Sequence, residues 1–255
     1  MIGCTIIVRK ALIAQPGQEG RQTMATAVVT QRDVRADDIF FPAMAVLILG
    51  IVVAGFGRSY FLAGMVRAKL PNSLVHVHGA VFISWIFLLF AQPWLIATHK
   101  VKWHMKSGVL SLIFLPSMSI LGVLTLFDFI RRAQPEEGPE LILVGDLETL
   151  TIFVALTSWA LLVRRDAASH KRLMILGTMA IMGPALARLN LGIAITLGII
   201  LVLPLLILAY DLCVLKRVHR TTVVGNVLTA AVVFTGVPFS KLSFWHRCVA
   251  LIRHT

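Results

Sequence analysis

Charge is what this sequence has least of. Of its 255 residues only 14% are Asp, Glu, Lys or Arg, against roughly 25% in an ordinary soluble domain. Acidic residues are scarcest, 12 against 24 Lys and Arg, and 58% of the chain is hydrophobic. A water-soluble globule is thereby excluded. Cysteine is nearly missing as well: Cys4, Cys213 and Cys248 are odd in number and contain no Cys-x-x-Cys pair, which excludes a disulfide framework and a thiolate metal or redox motif. The net charge of +12 would suggest nucleic acid in a polar protein. Here the basic residues lie in short separate loops between apolar runs, so nucleic acid is not an expected partner.

What is present is a series of long apolar runs. Crossing about 30 Å of hydrocarbon takes roughly 20 helical residues. Seven stretches approach that length: Ile39–Gly57, Leu74–Thr98, Gly108–Ile130, Leu141–Val163, Leu173–Arg188, Leu191–Leu215 and Val223–Ser240. The expected fold is therefore all-α, a polytopic transmembrane helix bundle of seven spans over 39–240. Leu173 to Leu215 as one helix would be about 65 Å long, twice the bilayer's reach, so a reversal is expected at Arg188-Leu-Asn-Leu-Gly192. Asp37 and Asp38 are placed to cap the first span. Pro93, Pro116, Pro184 and Pro204 fall inside spans and predict kinks that neighbouring helices must satisfy.

The basic residues also orient the chain. Of the 24, 15 fall on the side of the N-terminus and nine on the other, and the inter-helix loops alone divide ten to six. By the positive-inside rule the N-terminus is expected in the cytoplasm and the C-terminus outside. Residues 1–38 hold no apolar run of signal-peptide length and are read as a cytoplasmic, disordered segment. Residues 1–23 fit either a tail or an upstream extension of the reading frame. Residues 241–255 surround apolar positions with Trp and basic residues, as an interfacial helix or a frayed tail would.

Ionisable groups inside spans are costly and so mark candidate sites. His76, His78, Asp128, Asp146, Glu148 and Arg188 share one outer depth. His78, Trp85 and Gln92 are seven apart and form one helical stripe, whereas Asp146 and Glu148 diverge, so a regular helix offers one of them to a given pocket. These positions predict an outward-facing polar cavity lined by His78, Trp85, Gln92, Asp128, Asp146, Glu148 and Arg188. On the cytoplasmic side His104 and Lys106, His170 with Lys171 and Arg172, and His219 with Arg220 each pair an imidazole with cations where a helix begins. Cations at helix N-termini need an anion, and lipid headgroups are the expected one. Asp211 has no base four residues away and is expected to pair with a basic residue of this ring.

His76-Val-His78-Gly79, Trp85, Gln92, His104-Met-Lys-Ser-Gly108, His170-Lys-Arg-Leu-Met174 and Gly183-Pro-Ala-Leu-Ala-Arg188 together carry a resemblance. In their order the chain resembles an uncharacterised family of bacterial seven-helix membrane proteins, from the first span to the C-terminus. That family usually has His-Arg-x-Leu-Gly before the third span; Met105 and Ser107 depart from it. The resemblance implies the fold and a place in the bacterial inner membrane, and no chemistry.

Three functions compete on these residues. The first is binding or transport of a small polar or anionic ligand at the outer cavity, with membrane lipids as the other partners. The second is a haem- or metal-binding oxidoreductase. His104, His170 and His219 offer imidazoles at one depth, but the flanking cations disfavour a metal, and no metal ligand set is assigned. The third is a structural or interaction role in the membrane. An intramembrane zinc hydrolase lacks tight ligand spacing. A retinal protein is set aside because no lysine falls in mid-span.

Overall fold

The computed structural model describes residues 19–62 and 72–254, with side chains for 36–57, 60–62 and 72–254. It is 88% helical, and the described residues contain no strand. The helices are α1 (Glu19–Phe56), α2 (Ser73–Ala97), α3 (Val101–Gly108), α4 (Ser111–Arg132), α5 (Pro139–Leu162), α6 (Ala167–Ala180), α7 (Gly183–Ala187), α8 (Ile193–Tyr210), α9 (Arg220–Ser240) and α10 (Ser243–His254). Short π-helical turns follow α1 (Gly57–Leu62) and α8 (Asp211–Leu215). The expected disordered segment lies outside the described residues up to residue 18; its remainder, 19–38, belongs to α1.

Six of these segments are long and apolar enough to cross a membrane, and the fifth expected span is not among them. That stretch is broken into α6 and α7. Gly183 and Pro184 explain the break, because proline has no N–H to give to the preceding turn. The Ile181 and Met182 amides bond instead to Thr178 O and Met179 O at 3.3 and 3.1 Å, tightening the end of α6. The reversal falls where the sequence places it, with Asn190 (φ 54°) and Gly192 (φ 84°) in the left-handed region that glycine enters without penalty.

α6 is the axis of the bundle. It packs against α1, α5, α8 and α9, and Trp85 of α2 donates to its Thr178 hydroxyl at 3.1 Å. Small residues set the closeness. A Cβ on Gly177 would stand 2.8 Å from the Thr157 hydroxyl, one on Gly225 would stand 2.6 Å from Leu176 Cδ1, and one on Gly55 would collide with the Ala185 carbonyl. The outward positions are apolar: Ile113, Ile120, Val202, Val227 and Phe234 are all exposed. That pattern is what a bundle surrounded by acyl chains requires, since lipid and core are equally apolar.

Helix ends are capped by side chains. Asn72 accepts from the Val75 amide, and Asp166 accepts from the Ala168 and Ser169 amides. Asp37 and Asp38 cap nothing, because α1 runs through them. The C-terminal residues form α10, laid across α4 and α5. Val249 and Ile252 are buried with Leu126, Ile130 and Leu143, while Arg253 donates to the Ala133 carbonyl at 2.7 Å.

Candidate functional site

Polar side chains gather at the two ends of the bundle. At one end Arg188 follows α7. Its guanidinium donates to the Pro184 carbonyl at 2.8 Å and lies over the Phe56 ring, 4.5 Å from the centroid. Phe56 meets Phe82 at 6.3 Å, and His78, one turn before Phe82, stacks on it at 6.2 Å. The guanidinium is near enough to His78 and to Asp146 for its charge to act on both. α1, α2 and α7 therefore bring a cation and an imidazole around two aromatic rings, with the Asp146 carboxylate of α5 in range of the cation's charge. Among the described residues Arg188 makes no ion pair.

The other residues expected in this cavity are elsewhere. Glu148 points toward α9, its Oε2 buried without a partner and 3.8 Å from where a Cβ on Gly236 would stand. The divergence of Asp146 and Glu148 is thus as the helical period dictates. Asp128 accepts from Asn72 at 3.0 Å and pairs with Arg132. Trp85 is 1% exposed and packs edge-on against Phe153, so it is core. Gln92 lies at the opposite end, bonded to Ser107 at 2.8 Å. A stripe with period seven spans the whole helix, so its three members cannot share one depth. Phe56 and Phe82 were not anticipated. The i, i+4 spacing of Phe82 from His78 was a usable signal, and Phe56 gave none.

The opposite end holds a carboxylate network. Asp211 is fully buried and accepts from Arg172 Nη2 at 2.6 Å and Nε at 3.1 Å, from Thr222 Oγ1 at 2.6 Å and from the His219 amide at 3.0 Å. All its lone pairs are used, which is what keeps a buried charge tolerable. Beside it Asp37 pairs with Lys171 and accepts from the Tyr210 hydroxyl at 2.7 Å. Asp166 caps α6, and the Ser169 hydroxyl with the amides of Ser169 and Ala168 holds its carboxyl below the ordinary carboxylate range. Burial and the Arg172 charge together hold the His219 imidazole below its ordinary value.

This network alters the reading of the basic ring. The anion expected from lipid headgroups is supplied to Lys171 and Arg172 by the protein's own Asp37 and Asp211, and Arg172 is 1% exposed. His104, His170 and His219 are half-buried; Lys106, over the Trp103 ring, and Arg220 are exposed. The expectation that Asp211 pairs with a basic residue of the ring is met by Arg172. His104 and His170, on α3 and α6, come together with ring centroids 6.4 Å apart. Among the described residues no group of three or more His, Cys, Asp or Glu is placed to hold a metal ion.

The apolar surface and the six membrane-length helices define the class: an all-helical, multi-pass membrane protein. No family model matches the chain, and no curated protein or solved structure matches it either.

Proposed function

We propose that the chain is a seven-span protein of the bacterial inner membrane that binds a small polar or anionic ligand at its outer end. Arg188 and His78 would receive the ligand, Asp146 would orient it, and Phe56 with Phe82 would form the floor. The observation that carries this reading is the state of Arg188. A guanidinium has five N–H donors, and here it is stacked on an aromatic ring and bonded to one carbonyl, with no ion pair among the described residues. Donors held in place in this way fit a carboxylate or phosphate. Counting α6 and α7 as the seventh crossing is supported by their contacts: Arg172 meets Asp211 at one end of the bundle, while Arg188 meets Phe56 at the other.

The test is a thermal-shift screen of the detergent-purified protein with small carboxylates and phosphates. A stabilising compound is expected, with its effect lost in both Arg188→Ala and His78→Ala. Stabilisation that survives both substitutions overturns this placement.

A further inference from the structure

We propose that His104 and His170, with the side-chain oxygen of Gln92, form a site for one divalent first-row transition-metal ion at the cytoplasmic end of the bundle. The proposal is independent of the ligand reading at the other end, and neither experiment bears on the other.

The tautomers come first. A backbone carbonyl only accepts, so the nitrogen facing it must carry the proton. His170 Nδ1 lies 2.9 Å from the Ala160 carbonyl and so donates to it, leaving Nε2 with its lone pair. His104 lies near the Gln92 backbone. Its Nδ1 is buried and makes no hydrogen bond, so it is open to a further partner. His104 thus offers an unpartnered buried nitrogen, and His170 is anchored through one nitrogen with the other free as a base. Metal-bound histidines are held in the same manner, by a carbonyl or carboxylate on the far nitrogen.

Distance then decides whether one ion can join them. A metal–nitrogen bond of about 2.0–2.1 Å, added to about 1.1 Å from ring nitrogen to ring centre, puts two imidazoles on one ion at most about 6.4 Å apart. The observed 6.4 Å sits at that limit. Tetrahedral coordination needs about 5 Å, so binding draws α3 toward α6 by roughly 1 Å.

A third donor is available at the same end of the bundle. Gln92 Oε1 is buried without a partner, and its amide nitrogen is fixed by Ser107, which orients the oxygen. Imidazole with oxygen donors suits Zn²⁺, Co²⁺, Ni²⁺ or Cu²⁺. The sequence argues against a metal here because cations flank both histidines. The structure meets that objection beside His170, where Lys171 is neutralised by Asp37 and Arg172 by Asp211.

Titration with Co²⁺ tests the site. The full-length protein should retain one equivalent after desalting and show d–d absorption in the visible. His104→Ala and His170→Ala should each weaken binding at least tenfold, with His246→Ala unchanged as a control. Gln92→Glu, which replaces a neutral oxygen with a charged one, should tighten it at least tenfold. Should the histidine variants not fold, pulsed EPR of the Cu²⁺-loaded native protein counts the imidazoles directly, and two are expected. Less than a fifth of an equivalent retained, unaltered binding in folded histidine variants, or a count other than two overturns the proposal.

Discussion

Arg172 and Asp211 are 1% and 0% exposed and hold three helices, α6, α8 and α9, at one point through Asp211's four bonds. Removing one partner of a buried pair leaves the other charge uncompensated, at about 3–5 kcal/mol, whereas replacing both with apolar residues of similar volume is often neutral. Arg172→Met is therefore expected to lower the unfolding free energy in detergent by roughly that amount, and Arg172→Met with Asp211→Leu to restore most of it. Equal loss in the single and double variants would show that the pair itself, and not the orphaned charge, sets stability. The need for a partner was readable at Asp211, since no base stands one helical turn away. Which base it would be was not, because Arg172 lies 39 positions earlier and looks like any other residue of a positive loop. Trp85 misleads in the opposite sense. A polar-aromatic stripe marks a shared helical face, and a core against Phe153 and Thr178 satisfies that pattern as fully as a ligand site does.

At the level of elements, the long apolar runs were legible because length and hydropathy depend on local composition alone. The break between α6 and α7 was half-legible: Gly183-Pro184 announces an interruption, but kink and break differ only in what the neighbours supply. Here the neighbours come close. Gly225→Ala would press a methyl against three atoms of the Leu176 side chain, which can shift. Gly55→Ala would press one against the backbone of Ala185, which cannot move without parting α1 from α7. Overpacking costs about 1–3 kcal/mol, so Gly55→Ala is expected at the upper end and Gly225→Ala at the lower, measured by thermal unfolding. The reverse ranking would mean that α7 yields more easily than the side chains around α6.

For the molecule as a whole, the two polar ends differ in kind. One is a saturated network in which carboxylates answer cations; the other leaves Arg188 stacked and unpaired among the described residues. Composition exposes both ends, yet only three-dimensional neighbours reveal which is locked. Seven crossings would put the termini on opposite sides. Reporter fusions at each end of the full chain are expected to place the N-terminus in the cytoplasm and the C-terminus outside, with α10 resting on the outer ends of α4 and α5. Both ends in one compartment would reduce the count to six and leave α6 and α7 as a re-entrant pair.

The sheltered position of α6 bears on how the molecule is made. Its arginine leaves the ribosome 39 residues before the aspartate that neutralises it, and unlike the six membrane-length segments it is not apolar and long enough to be held by lipid unaided. If α6 crosses the membrane as proposed, this segment would wait at the translocon or be carried in by α5 through the Asp166-capped hairpin, and would settle in the membrane only once α8 had arrived. The order of assembly is thus written into one ion pair, and a chain halted before Asp211 would be a substrate for quality-control proteolysis.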